Sequence, residues 1–241
     1  MQEPITQGGR SWRQVEAAAF AAVGITTFVT LLFNADDIPI VLIIGGVYLA
    51  LGGAVWRWIG RPRVALAAAA LGLLVEVGGV PFVLEDLSHI ESWGSFAPTA
   101  VRVVAALVAI AAGFISFFAP AISGSRRVAV AAVALSVVLV VASVGASVSA
   151  GSDAAQATDV VVLAEGIEYP KVLLASEGLI GFHVTNEDPI RHTFVIDGTS
   201  VKLEVPASKQ RRVEVELAAG EYRFFCDVPG HERMEGILTI R

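Results

Sequence analysis

Five long apolar runs alternate with short polar segments in the first part of the chain, up to about residue 149. Each run has roughly 20 residues, which at a helical rise of about 1.5 Å per residue matches the ~30 Å hydrocarbon core of a bilayer. The pattern therefore predicts five membrane-spanning helices. They are expected over about Val15–Phe33, Pro39–Ile59, Val64–Leu84, Thr99–Ala119 and Val128–Val148.

A different pattern begins near Asp159. Short runs of β-branched and aromatic residues, such as the alternating RRVEVEL, are separated by Gly, Pro, Asn and Asp, which favour turns. About seven or eight strands at this spacing predict an all-β Greek-key sandwich. The expected organisation is a five-helix transmembrane region at 1–149, a flexible polar linker at 150–158 and a β domain at 159–241.

Arginines fall on alternate loops between the apolar runs, whereas the first and third loops carry acidic residues. By the positive-inside rule, the arginine-bearing loops and the N-terminus are cytoplasmic. We therefore expect a multi-pass protein of the cell membrane, embedded in the lipid bilayer, with its C-terminal domain extracytoplasmic. The arginines are Arg10, Arg13, Arg57, Arg61, Arg63, Arg126 and Arg127, and the acidic residues are Asp36, Asp37, Glu85, Asp86 and Glu91.

Composition narrows the choice of partners. Hydrophobic residues make up 55% of the chain, which is high for a soluble protein and agrees with a membrane region. The net charge of −6 excludes nucleic acid as the expected partner, since no basic stripe is available to displace phosphate counterions. The chain has one cysteine, so it forms no internal disulfide.

Few polar residues interrupt the apolar runs. Glu76 is the acid in the middle of a run, and an intramembrane carboxylate suggests a proton or ion path. The alternative is a protonated Glu76 that is hydrogen-bonded to a neighbouring helix. Arg102, near the outer end of the fourth run, is expected to extend towards the interface. His89, close to Glu85, is expected in a solvated loop, with a weak metal site as the alternative.

The segment FFCDVPGHERMEGILTI near the C-terminus carries the residues that suggest chemistry. Cys226, His231 and Met234 follow one another as C-x4-H-x2-M, and His192 begins the upstream run HTFVID. A thiolate, two imidazoles and a weak thioether form the blue-copper environment used for electron transfer. These four residues are therefore predicted to bind one type 1 copper ion. His183 is expected to point to solvent instead.

This second half resembles the cupredoxin family, and within it the plastocyanin and amicyanin type. The resemblance covers roughly 159–241 and is carried by GFHVTNEDPIRHTFVIDG and GEYRFFCDVPGHERMEGILTI. It implies the same order of ligands, with His192 before the loop of Cys226, His231 and Met234. The family often has Asn after the first histidine, whereas this chain has Thr193, whose hydroxyl is expected to make a similar bond to the cysteine loop.

These features together predict a membrane-anchored blue copper protein that transfers single electrons on the extracytoplasmic face, with redox partner proteins of unknown identity. We do not expect an enzyme, because the chain lacks the second cysteine of a dinuclear copper centre and the His-x-His pairs of multicopper oxidases. The alternative is a copper-binding protein for storage, delivery or sensing. A third hypothesis makes the helices the active unit, with Glu76 in a proton path.

Overall fold

Five helices come first in the computed structural model, which describes residues 7–32 and 38–241. All five are long and apolar enough to cross a membrane, so the predicted helical region is confirmed as a set of candidate spans. Phe33, Asp36 and Asp37 lie outside the described residues. The helices are α1 (Gln7–Val29, continued by a 3-10 turn at Thr30–Leu32), α2 (Ile38–Arg57), α3 (Pro62–Ser88), α4 (Trp93–Phe118) and α5 (Ser125–Ser149).

Helix α1 begins at Gln7, about two turns before the apolar run that predicted it. Two side chains in this extension donate hydrogen bonds to backbone carbonyls in the segments that connect other helices. The indole Nε1 of Trp12 donates to the carbonyl of Ile122 at 2.8 Å, and Nε of Arg13 donates to the carbonyl of Ile59 at 2.5 Å. Helix formation therefore continues past the end of the hydrophobic pattern.

The helical unit has its core where α1 to α4 meet. Phe20 of α1 is fully buried and stacks on Tyr48 of α2 with ring centroids 5.9 Å apart. Large apolar side chains on the outside, such as Leu74 and Val133, are exposed, which suits helices that face lipid. The buried cluster consists of Ala17, Phe20, Val23, Tyr48, Val55, Ala68, Ala106 and Ala109.

Eight strands follow the helices, and each of the apolar runs that predicted a strand forms one. The strands are β1 (Val160–Ala164), β2 (Val172–Ala175), β3 (Gly178–Asn186), β4 (His192–Ile196), β5 (Lys202–Val205), β6 (Gln210–Leu217), β7 (Gly220–Phe225) and β8 (Glu235–Ile240). Sheet 1 has the order β1-β3-β6 and sheet 2 the order β2-β8-β7-β4-β5.

Aromatic rings fill the space between the two sheets. Phe194 of β4 lies at the centre, with its ring centroid 5.4 Å from that of Phe182, 5.6 Å from that of Phe224 and 6.0 Å from that of Tyr169. The three phenylalanines are 0% exposed. The predicted β-sandwich is confirmed, with its core built from alternate positions of strands in both sheets.

Residues 150–158, predicted as a flexible linker, are exposed but hydrogen-bonded to the β domain. Asp153 N donates to the carbonyl of Gln210 at 3.0 Å, and Arg212 N donates to Oδ2 of Asp153 at 2.9 Å. The chain divides into two compact units, one of which comprises Ile90–Ser95 and Ser143–Arg241. The boundaries at 149 and 158 remain predictions.

The expectation that His183 points to solvent is wrong. Its side chain on β3 is buried, with 4% exposed, and Nε2 lies 3.2 Å from the carbonyl oxygen of Asp153. The strand pattern alone did not reveal this, because the covering group comes from the segment before β1 and not from a strand.

Candidate metal centre

The loop that joins β7 to β8 holds three of the four predicted ligands and is closed by its own backbone. Cys226 N donates to the carbonyl of Met234 at 2.9 Å, and Met234 N donates to the carbonyl of His231 at 2.9 Å. Gly230 has a φ of +90°, a conformation that glycine adopts without the steric penalty of a Cβ. The loop therefore folds back on itself and turns Cys226 and His231 towards each other.

His192 reaches this loop from the neighbouring strand. β4 and β7 are antiparallel, with Val195 paired to Phe225, so the first residue of β4 lies beside the residues that follow β7. Nδ1 of His192 is 4.0 Å from Sγ of Cys226 and 3.2 Å from Nδ1 of His231. Sheet pairing thus brings together residues that are far apart in the sequence.

His192, Cys226 and His231 form a buried cluster with the spacing that a metal ion requires. Their potential ligand atoms all lie within 4.8 Å of one another, and Sγ of Cys226 is 3.5 Å from Nδ1 of His231. The three side chains are 0%, 4% and 4% exposed, respectively. Met234 is also fully buried and belongs to the same loop, and its role as a fourth ligand stays a prediction.

Asp188 fixes the orientation of His192. Its Oδ2 lies 2.8 Å from Nε2 of His192, and the carboxylate also accepts hydrogen bonds from the N–H groups of Gly166 and Ile167 at 2.8 and 3.0 Å. An imidazole that donates from Nε2 keeps the lone pair of Nδ1 for a metal. The ring is therefore held in the tautomer that the cluster needs.

The charge of Asp188 is stabilised by these donors. Burial alone would raise the pKa of the Asp188 carboxyl group, but the bonds from His192 and the two backbone N–H groups lower it to about 2. Burial likewise favours neutral His192, yet its bonds to Asp188 and Cys226 raise the pKa of the imidazole. The pair can therefore carry opposite charges when no metal is bound.

Thr193 links the two parts of the site, as its sequence position suggested. Its hydroxyl donates to Oδ1 of Asp227 at 2.7 Å and accepts a bond from the Asp227 N–H at 2.8 Å. Thr193 N points to Sγ of Cys226 at 3.4 Å. Oδ2 of Asp227 accepts a further bond from Nζ of Lys202 at 2.6 Å. This network ties β4 to the residue after the cysteine.

The thiol of Cys226 is poised to ionise. Burial would raise its pKa, but interactions with the two imidazoles and with the N–H of Thr193 outweigh burial and lower the pKa to about 5. A thiolate is the form of cysteine that binds metals. Two imidazole nitrogens and one soft thiolate in a buried cluster are the donor set that copper takes in electron-transfer sites, so the residues fit this metal.

Sequence reasoning did not find Asp188 as a functional residue. It stands four residues before His192, but the intervening turn EDPIR gives no periodicity that would place the two side chains together. Its carboxylate is brought to the ring by the turn that Asn186 stabilises, where the side-chain Oδ1 accepts the N–H of Asp188 at 2.9 Å. The sequence offered one indication of this role, namely that an acidic residue lies four positions before a predicted ligand.

In the helical unit, Glu76 has two hydrogen-bonding partners from neighbouring helices. Its Oε1 accepts the hydroxyl of Tyr48 at 2.6 Å and Nη1 of Arg102 at 2.9 Å. The guanidinium group of Arg102, which was expected to extend towards the interface, pairs with this carboxylate, and its position relative to the interface stays a prediction. His89 lies 3.9 Å from a carboxylate oxygen of Glu85, and it belongs to no three-ligand cluster among the described residues.

Comparison with known proteins agrees with this organisation. Residues 131–240 match the family model described as a cupredoxin-like domain. No curated protein matches the chain.

Several solved structures resemble part of this chain. A Cu(I) form of an amicyanin variant is 16% identical and covers 36% of this chain and 86% of its own, with a TM-score of 0.31. A copper binding protein in the apo form is 20% identical to this chain, and the match covers 34% of this chain and 86% of that protein, with a TM-score of 0.30. A copper-containing nitrite reductase from Thermus scotoductus SA-01 is 24% identical to this chain. The match covers 39% of this chain and 24% of the reductase, with a TM-score of 0.29.

The family match and the observed sandwich coincide over β1 to β8, and the cupredoxin family implies a copper ion for which His192, Cys226 and His231 form a potential ligand set. The expected resemblance is thereby confirmed. The chain joins five helices that are apolar enough to span a membrane to a C-terminal β-sandwich, and all eight strands of this sandwich lie within the residues that match the cupredoxin-like domain model.

Proposed function

We propose that this protein is a membrane-anchored electron carrier whose C-terminal domain binds one type 1 copper ion through His192, Cys226, His231 and Met234. The observation that carries the proposal is the buried cluster of two imidazoles and one thiol with ligand atoms within 4.8 Å. Copper bound there would supply a one-electron couple. The protein's own residues hold the donors in place and exclude water.

Preorganisation of the donors supports electron transfer over copper delivery. Asp188 holds the ring of His192, and Thr193 ties β4 to the loop of Cys226. A donor set that is fixed on two strands changes little when the metal changes oxidation state, which favours fast electron transfer. A site for copper delivery needs ligands that release the metal readily. The buried, hydrogen-bonded arrangement of these ligands argues against that function.

Full-length protein in lipid nanodiscs, loaded with Cu(II), provides the test. We expect intense visible absorption from thiolate-to-copper charge transfer, reversible bleaching on reduction, and loss of the colour in a Cys226→Ser variant. A Thr239→Val variant, altered on the same sheet away from the loop, is the matched control and should remain blue. A protein that stays colourless with Cu(II) but binds and readily exchanges Cu(I) would contradict the proposal and favour copper delivery or storage.

The proposed location is the extracytoplasmic face of the cell membrane, with the N-terminus in the cytoplasm. The distribution of arginines supports it, because Arg61 precedes α3, Arg63 lies in its first turn, and Arg126 and Arg127 lie at the start of α5. These helix ends belong to the same predicted side. A C-terminal epitope tag should be digested by protease added to spheroplasts. Protection of the tag in intact spheroplasts, with digestion after lysis, would contradict this orientation.

The proposed partners are redox proteins that dock through positively charged surfaces. The excess of acidic over basic residues falls mainly in the C-terminal domain, and opposite charge accelerates association at low ionic strength. We expect reduction by a basic one-electron donor such as cytochrome c to slow as salt is added. A rate that is independent of ionic strength would remove the electrostatic part of the proposal.

A further inference from the structure

The carboxyl group of Glu16 is buried in the helical unit without a hydrogen-bonding partner. Glu16 lies in the first half of α1 and is 0% exposed. Neither Oε1 nor Oε2 has a hydrogen-bond partner among the residues that the structure describes. Buried polar groups without a partner are rare in folded proteins and call for an explanation.

Small residues of two neighbouring helices lie close to this carboxyl group. On α4, a Cβ added to Gly113 would stand 2.7 Å from Oε1 of Glu16 and 2.6 Å from Cβ of Ala69 on α3. The approach of the three helices is therefore too close at this point for a larger side chain at position 113. Neither Gly113 nor Ala69 can titrate or donate a side-chain hydrogen bond.

The charged side chain that acts on Glu16 is Arg13, one turn earlier on the same helix. Its Nε donates to the carbonyl of Ile59, and it makes no hydrogen bond to either carboxyl oxygen of Glu16. The nearby arginine is therefore engaged elsewhere and does not neutralise the carboxyl group as a hydrogen-bonded ion pair would.

Glu76, in the same helical unit, differs from Glu16 because its carboxylate has hydrogen-bond partners. Its carboxylate accepts bonds from Tyr48 and Arg102, so an ionised Glu76 is matched by a positive charge. Phe20 is fully buried and stacks on Tyr48, and it follows Glu16 by one turn of α1. Glu16 takes no part in the hydrogen bonds of the Glu76 carboxylate, so the two carboxyl groups are treated as separate sites.

We propose that Glu16 is a proton-binding site of the helical unit, the carboxyl group at which this part of the chain takes up and releases a proton. An ionised carboxylate without a hydrogen-bonded partner is strongly disfavoured in an apolar interior, whereas the neutral acid is tolerated. Uptake consumes one proton and leaves a neutral carboxyl group, and release restores the carboxylate. This role needs neither copper nor the proposed electron transfer.

Infrared spectroscopy of the full-length, copper-free protein in lipid vesicles tests the proposal. At neutral pH, we expect the wild type to show the carbonyl stretch of a protonated carboxyl group that shifts when glutamate is labelled with carbon-13. The band should disappear in Glu16→Gln and persist in the control Glu76→Gln/Arg102→Gln, which removes the Glu76 carboxyl group without leaving Arg102 unpaired. Absence of the band from the wild type, or its persistence in Glu16→Gln, would overturn the proposal.

A chemical measurement on the wild type covers the case in which Glu16→Gln does not assemble. Dicyclohexylcarbodiimide adds to a protonated carboxyl group and rearranges to a stable N-acylurea that retains all atoms of both reactants. Peptide mapping should place the adduct on Glu16 and leave Glu76 unmodified, with a yield that falls as the pH is raised. An adduct on Glu76 without one on Glu16, or no adduct on Glu16 at any pH, would overturn the assignment.

Discussion

Nε2 of His192 lies 2.8 Å from Oδ2 of Asp188, and this contact turns Nδ1 of the same ring towards Sγ of Cys226. The carboxylate is itself held by two backbone N–H groups. One hydrogen bond therefore sets both the tautomer and the direction of a predicted copper ligand.

Replacing Asp188 with Asn should weaken copper binding by roughly 10- to 100-fold, the usual loss when the hydrogen-bonding partner of a ligand is removed. The neutral amide of Asn lacks the negative charge that the Asp188 carboxylate brings next to the His192 ring. Competition with a chelator of known affinity measures the effect. Asp197→Asn, at an exposed aspartate outside the site, is the control and should bind copper as the wild type does. Equal affinities in the two variants would rule out the positioning role of Asp188.

A Thr193→Val variant should keep the blue colour but change the reduction potential. Valine has a similar shape, yet it loses the hydroxyl bonds to Asp227 and the contact of Oγ1 with Sγ of Cys226 at 3.5 Å. We also expect a loss of about 1–3 kcal/mol in the free energy of unfolding, because the partners of Thr193 are left without their bonds. Voltammetry and thermal denaturation measure these effects. A potential equal to that of Thr239→Val would contradict the prediction.

Ionisation of Cys226 in the copper-free protein should show a midpoint near pH 5, the lowered pKa of its thiol. A free thiol has a pKa of about 8.5. Because the folded state lowers the pKa, the thiolate adds stability above the ordinary thiol pKa, and this contribution is lost as the pH falls through about 5. Ultraviolet absorption of the thiolate follows the titration. A midpoint at or above that of a free thiol would show that the imidazoles do not act on the sulfur.

Met234→Leu tests the proposed fourth ligand. The substitution keeps a buried apolar side chain of similar volume but removes the thioether donor. We expect the colour to remain while the reduction potential rises, because the loss of a donor destabilises the more highly charged Cu(II) ion more than Cu(I), and the axial ligand tunes the potential of such sites. Leu238→Met is the matched control, because Leu238 is also fully buried but lies in β8. If both variants have the potential of the wild type, Met234 packs in the loop without tuning the metal.

Glu76→Gln should destabilise the helical unit more than the double variant Glu76→Gln/Arg102→Gln. The single change leaves the partly buried charge of Arg102 without its partner, which costs up to about 3–5 kcal/mol, whereas removing both charges avoids that penalty. Thermal unfolding in detergent, followed by circular dichroism, compares the two. If the single variant is as stable as the wild type, the ion pair does not contribute to the fold.

Local patterns predicted the β domain well, because each of the eight apolar runs becomes a strand and the C-x4-H-x2-M spacing lies within one loop. His192 was predictable because it begins a strand and belongs to a ligand set with a known order. Contacts between distant segments were not predictable. The pairing of Glu76 with Arg102 depends on how α3 and α4 face each other, and the burial of His183 depends on the segment around Asp153.

Glu16 shows the same limit within the helices. The sequence pattern did not single out Glu16, which lies near the start of an apolar run, whereas the structure buries it next to Gly113 and Ala69. Periodicity indicates which residues are apolar, but it does not reveal which side chain is enclosed where three helices meet.

The turn that carries Cys226 and His231 is tied by backbone bonds that involve no side chain and no metal. The shape of the ligand loop is consequently a property of the polypeptide alone. Maturation can then proceed in two steps, with the loop folding first and the ion arriving later. Stripping the metal from mature protein should accordingly be reversible, and colour should return on adding copper without any refolding.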